Sequence, residues 1–328
     1  FQAEDGIRDF CLSRGLGDVY KRQSIHSQRI DWNISCYLCQ ISKLEGFQNL
    51  EQSRNLEVIP TITSSSSESR NPEGGDWERE NNSQGSLDLR WGISQDTYLN
   101  ATINPDFSQV EADSLQLDVN NTFSLFFPER RTFFLDGADY FDTYENLVHT
   151  RNIASPEYGL KLTGKTNQNT YGLVAANDET TNFIIPRSLS SRVASIEGLE
   201  SKVAIGRYRR DIFENSTLGA LVTDRRGKNY SNTVLSLDST LRPTAQDTIS
   251  IQAMHSTSEY PNYIQREHQQ EADLNDNSYV IEYQHNDRQW DWRLGYYDWG
   301  DDFRADLGFV NRVDFKHMVA TIGRTWRW

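Results

Sequence analysis

Apolar and polar residues alternate one for one through much of this chain. Leu87, Leu89, Trp91 and Ile93 interleave with Asp88, Arg90, Gly92 and Ser94. After Gln95 and Asp96 the pattern resumes, with Leu99, Ala101 and Ile103 against Tyr98, Asn100, Thr102 and Asn104. A period of two puts successive side chains on opposite faces of a β-strand, so 87–104 reads as a hairpin with a very short turn. Further strands are expected at 158–166, 170–177, 201–210, 216–225, 230–242, 246–257, 277–286, 290–299 and 314–327. Two faces are plain in Leu235 and Leu237, in Ile249, Ile251 and Ala253, in Tyr279, Ile281 and Tyr283, and in Trp290, Trp292, Leu294 and Tyr296. Most of these segments run to about nine to twelve residues, which suits a tilted strand crossing a bilayer and exceeds the usual globular strand.

The connections carry a second signal. Along the chain they read short at 95–96, long at 105–157, short at 167–169, long at 178–200 and short at 211–215. They continue with a medium connection at 226–229, RGKN, which is the exception to the alternation, then short at 243–245, long at 258–276, short at 287–289 and long at 300–313. Outer-membrane barrels have short turns at one rim and longer loops at the other. A soluble sandwich or propeller explains the period of two but not this alternation of loop length. The Ser, Asn, Glu and Gly-rich stretch 64–84 reads as a solvated loop.

Composition fits this reading. Mean hydropathy is low at -0.70, yet 12% of residues are aromatic. Disordered chains lack aromatics, whereas a barrel needs no long apolar window. No window reaches the 18 to 20 apolar residues that a membrane helix requires. A net charge of -14 argues against a nucleic-acid partner, because phosphate binding needs clustered Lys and Arg.

One segment breaks the strand pattern. Between Asn104 and Phe141 it gathers Asp106, Glu111, Asp113, Asp118, Glu129, Asp136 and Asp139, the pair Arg130 and Arg131, and seven Phe. Loop parity puts its start at the long-loop end of a hairpin. It is expected to fold inward across the lumen as a plug, pairing its charges with one another and with Arg90, Lys161, Arg207 and Arg209 on the strands. One reading is a selectivity element. The other is an ion-pair network centred on Glu129, Arg130, Arg131 and Asp136 that holds the plug, with the Phe residues as its small core.

Catalysis is the less favoured reading. Glycoside hydrolysis needs two carboxylates across a cleft, and Asp106, Glu111, Asp113 and Glu129 are enough to nominate a pair, but a dense acidic segment supplies pairs by chance. No nucleophile elbow, zinc-protease, phosphate-loop or calcium-loop pattern is present, and the six His show no ligand spacing. Cys36 and Cys39 form a lone C-x-x-C without the second pair that a zinc site wants. No metal or cofactor is expected. Trp290, Trp292, Tyr296, Trp299, Trp326 and Trp328 read as an interfacial girdle in preference to a sugar-stacking platform.

The runs NPDFSQVEAD (104–113) and FFPERRTFFLDGADYF (126–141) resemble an outer-membrane β-barrel family of unknown function. That family usually follows a carbohydrate-binding module in Gram-negative bacteria. The likeness continues through LEVIPTI (56–62), HTRNIASPEYGLKLTGK (149–165), STLGALVTDR (216–225) with Asn232 and Asp238 after it, and DDFRADLGFVNRVDF (301–315), and so covers about residues 45 to 328. The family tends to carry Lys-Pro where this chain has Arg131 and Thr132, and Glu where it has Asp136.

The expectation is an all-β protein, an antiparallel up-and-down transmembrane β-barrel of about twelve strands, incomplete, with a long plug-like insertion at 105–157. Residues 1–23 resemble a translated sequencing adapter and are expected to be unstructured, and 24–52 read as the tail of a lost carbohydrate-binding-like module. Residues 53–328 are the barrel. The resemblance implies the outer membrane of a Gram-negative bacterium, with the signal peptide lost by truncation, lipid as a partner, and a pore or uptake role for a saccharide-like solute. The competing class is a carbohydrate-binding or glycoside-hydrolysing surface β-protein. The expected plug or binding network comprises Asp106, Glu111, Asp113, Glu129, Arg130, Arg131, Asp136, Asp139 and Arg151.

Overall fold

The computed structural model describes residues 16–18, 23–25, 31, 40–41, 55–70, 77–105 and 121–326. Two short strands, β1 (Leu16–Asp18) and β2 (Gln23–Ile25), pair with each other. The other strands are β3 (Leu56–Ser69), β4 (Glu78–Ser94), β5 (Thr97–Ile103), β6 (Pro156–Thr166), β7 (Asn169–Pro186) and β8 (Ser191–Ile212). They continue as β9 (Ser216–Gly227), β10 (Tyr230–Leu241), β11 (Asp247–Glu259), β12 (Asp273–Asn286), β13 (Trp290–Trp299) and β14 (Phe315–Arg324). From β3 to β14 they form one twelve-stranded antiparallel sheet in which every strand pairs with its neighbours in sequence. This is up-and-down topology. Among the described residues no ladder joins β3 to β14, so the sheet is not closed.

The sheet is nevertheless strongly curled. Arg90 of β4 and Asn100 of β5 both reach the Asp136 carboxylate, while Tyr144, a little further along the same segment, bonds Glu282 of β12 at 2.7 Å. Strands far apart in sheet order therefore meet around one short piece of chain. That piece, residues 121–155, lies against the inner face with a helical turn at Thr132–Leu135 and 3-10 turns at Ala138–Phe141 and Thr150–Asn152.

The two faces invert the usual polarity. On β10, Leu235 and Leu237 are 53% and 63% exposed, while Asn232 and Ser236 on the opposite face are 0% and 3% exposed. The register carries the pattern sideways: Leu235 stands opposite Val222 of β9 and His255 of β11, and Ile281 of β12 stands opposite Ile251 and Tyr296. Leu160, Leu173, Leu218, Leu294 and Met318 are likewise exposed, and Lys161, Arg207, Arg225, Gln252 and Glu282 are buried. A water-soluble sheet places its apolar residues on the covered face and its polar residues on the wet one. Here the alternation is as regular but reversed.

The inner face becomes apolar where the inserted chain touches it. Phe134, Phe141, Leu147 and Ile153 pack with Val174, Val203, Ile205, Leu221, Val234, Met254 and Val280 of the wall. A second segment, 300–314, adds Phe303, Leu307, Val310 and Val313 to the same cluster. Burying such side chains is worth about 1.5–3 kcal/mol each, so this contact is the main apolar core.

Several boundaries differ from the expectation. The stretch 64–84 is not one loop, because β3 runs to Ser69 and β4 begins at Glu78. Serine and asparagine pair in ladders through backbone groups whatever their side-chain polarity, which hid the extension. The span 178–200 is also mostly strand: β7 and β8 continue past their outer neighbours and pair with each other from Thr180 with Glu197 to Pro186 with Ser191. This projecting arm packs Phe183, Ile185 and Ala194 against Tyr230, Tyr260 and Ile264, the last from the helix Asn262–His268 inside the expected loop 258–276. Trp299 is 6% exposed and faces inward, stacked on Phe315, so it is not part of an outer girdle. Trp326 is exposed, as a girdle residue would be. Cys36, Cys39, Trp328 and the acids Asp106, Glu111, Asp113 and Asp118 lie outside the described residues.

Candidate functional site

The interior occlusion begins at Glu129. Its carboxylate accepts Arg131 Nε at 2.8 Å and Nη2 at 2.6 Å, the Thr150 hydroxyl at 2.6 Å, and the backbone N–H groups of Arg130 and Arg131. The guanidinium then donates to the carbonyls of Thr150 and Ile153, both at 2.6 Å. A planar five-donor fork is suited to bridging a carboxylate and two carbonyls at once. Arg131 thus staples the start of the segment to its end. Burial pushes the Glu129 carboxyl upward, but the hydrogen bonds and charge of Arg131 outweigh it and hold the group at about 2.

Asp136 sits at the wall. Asn100 Nδ2 donates to its carboxylate at 2.7 Å and Arg90 Nε lies 3.5 Å away. Lys161 Nζ donates to the backbone carbonyls of Phe133 and Asp136 and sits 5.2 Å from the Phe133 ring, so it holds main chain instead of a carboxylate. Gly137 follows in the left-handed region at φ 65, where a side chain is strained and a Cβ would press on Thr163. Asp139 is exposed in the following turn, and Arg151 lines a cavity near the other end.

Of the strand charges expected to meet the segment, Arg90 and Lys161 do. Arg207 turns instead to Asp238 of β10, with Nη2 to Oδ2 at 2.8 Å. Arg209 and Arg207 both lie close enough to Asp142 of the segment to oppose the upward push that burial and Asp139 give that carboxyl.

The residues that complete the occlusion include several that were not singled out in the sequence. Arg225 and Asp178 pair at 2.7 Å with both side chains fully buried, and Arg225 also reaches Asn152 and Asn182 carbonyls and Ser201. Asp306 accepts the hydroxyls of Tyr230 and Tyr260 at 2.7 and 2.8 Å. Asn152 donates to the carbonyls of Asp306 and Gly308, and Asn232 holds the backbone on both sides of Ala305. The segments 121–155 and 300–314 are therefore one body with two chain origins. At its far side Tyr144 and Tyr297 donate to Glu282, which also takes Arg293, and Glu145 N–H donates to Gln252 at 2.8 Å. The only sequence signal for the second segment was its place in the family-like run 301–315.

Among the described residues no group of acids, His or Cys has the arrangement of a metal site. Glu129 is the described member of the acids that could form a hydrolytic pair. Its carboxyl is held far below the usual range, whereas a general acid needs a raised one.

Fold and site together define an antiparallel up-and-down sheet, curled but not closed among the described residues, apolar on its outer face and with the segments 121–155 and 300–314 packed against its inner face. Residues 54–195, from β3 into β8, match the model of a domain of unknown function, DUF5916. No curated protein matches. Among solved structures the chain is similar to OmpT, an outer membrane protein of Vibrio cholerae folded in vitro, at 7% identity over 84% of this chain and 100% of that one, with a TM-score of 0.35. It is also similar to the same protein lacking loop L8, at 8% identity over 75% and 94% with a TM-score of 0.32. The form expressed in the outer membrane gives 8% over 84% and 97%, with a TM-score of 0.31.

Proposed function

We propose that this chain is an outer-membrane β-barrel protein of a Gram-negative bacterium, a plugged pore or uptake component for small saccharide-like solutes. The observation that carries this reading is the reversed polarity of the sheet. Exposed Leu235, Leu237, Ile251, Ile281, Leu294 and Met318 belong to a continuous outer surface, which a lipid chain satisfies and water does not. The inner face supplies the polar lining of a lumen, and the plug governs passage through it. Glu129, Arg130, Arg131, Asp136, Asp139 and Arg151 belong to that plug as holding and lining groups, not as catalysts.

The test is direct. The protein should fractionate with the outer membrane, migrate differently on gels before and after heating, and conduct ions in planar bilayers more strongly once residues 105–157 are removed. A soluble product, or a conductance unchanged by the deletion, would sink the reading.

A further inference from the structure

Two cavities flank the plug, and Phe309 stands in the wall of both. One, of about 530 Å³, lies between the plug and the projecting arm and is lined by Ser124, His149, Arg151, Asn182 and Ser191. The other, of about 400 Å³, lies between Glu145 of the plug and the last strands, with Arg293, Tyr297, Asn311 and His317 in its wall. Both volumes fall in the range of small-molecule sites, about 300–1,000 Å³.

Phe309 is held edge-on to Phe126, with ring centres 5.0 Å apart at 85°, and to His149, at 5.2 Å and 66°. Its backbone N–H bonds the Asn146 carbonyl at 2.8 Å, so the main chain is anchored, and the ring makes edge contacts with Phe126 and His149. Such contacts are worth about 0.5–1.5 kcal/mol each, and a rotamer change of the ring breaks no hydrogen bond.

We infer that Phe309 is the barrier in a single solute route through the plug, with a binding cavity on each side of it. The inference rests on the pore reading above. The linings also indicate the solute. Each cavity sets amide, hydroxyl or imidazole groups beside aromatic rings, and the second places Glu145 together with Arg293 and Arg312. Charges of both signs in one space favour a neutral, multiply hydroxylated ring over an ion of either sign.

Sugar entry into proteoliposomes, followed by swelling in arabinose and glucose, tests this. Four proteins are compared: the unaltered chain, a deletion of 105–157, Phe309→Ala and Phe309→Trp, each checked for heat-modifiable migration. Phe309→Ala should speed entry about tenfold, the effect of lowering a barrier by ~1.4 kcal/mol, and Phe309→Trp should slow it. Phe309→Leu replaces the alanine variant if that one fails to fold. If the deletion speeds entry and the Phe309 variants match the unaltered chain, the route lies elsewhere and the inference is overturned while the pore stands. If the deletion also leaves entry unchanged, the pore reading fails with it.

Discussion

Arg225 of β9 and Asp178 of β7 meet at 2.7 Å with no exposed surface on either side chain. They join the wall to the plug, because the same guanidinium holds the Asn152 carbonyl and Asp178 accepts the N–H groups of Ala154 and Ser155. Removing one partner leaves a buried charge uncompensated, at a cost of about 3–5 kcal/mol. Arg225→Met and Asp178→Leu should each lower stability in denaturant by that amount, and the double variant should recover much of it. A double variant no better than the singles would show that the pair acts through its carbonyl contacts.

Acid should loosen the plug in two stages. Burial holds the His149 imidazole down at about 4. Its folded value therefore lies below the unfolded one of about 6.5, and stability is full above pH 6.5 and declines as pH falls toward 4. Glu129, held at about 2, contributes stability that is present above its ordinary range and lost as pH falls toward 2. His149→Phe should abolish the first stage and Glu129→Gln the second, read as the unfolding midpoint against pH in detergent.

The two faces of β10 should respond oppositely to charge. Leu235→Arg on the exposed face should weaken folding into vesicles by about 2–4 kcal/mol, the cost of arginine near a bilayer midplane. Improved solubility and unchanged folding for that variant would indicate a water-facing surface.

Asp306 offers a contrast with Glu129. Burial raises its carboxyl, only partly offset by the two tyrosine hydroxyls, so the ionised form opposes folding more as pH rises through that range. Asp306→Asn should therefore be nearly neutral at pH 7. Asp306→Leu, which orphans the hydroxyls of Tyr230 and Tyr260, should cost about 1–3 kcal/mol for each stranded group. Equal losses in the two variants would contradict this account.

The strands were legible because Leu235, Ile251 and Trp292 recur at period two, and the short turns at 95–96 and 287–289 fixed the meander. Strand ends were less so: Ser69 and Glu78 extend the β3–β4 ladder through polar residues that carry no alternation. The acidic segment was visible as an anomaly, and Arg90, Lys161 and Asp136 do come together. Asn152 and Arg225 lay inside the family-like runs 149–165 and 216–225 but with no role attached, and Asp178 lay outside every such run. Their importance arises from neighbours that are distant in sequence. Asp306 stood in the family-like run 301–315, but a carboxylate satisfied by two tyrosines leaves no charge pattern from which its role could be read.

The bond from Asn152 to the Asp306 carbonyl spans a separation of 154 residues. Every strand from β6 to β13 lies between those two positions, so the bond closes a loop that contains most of the wall. Closing so long a loop carries its entropy cost early and its return late, which makes the seal one of the last events of folding. A chain halted partway would carry a formed wall and an interior body still in two separate pieces.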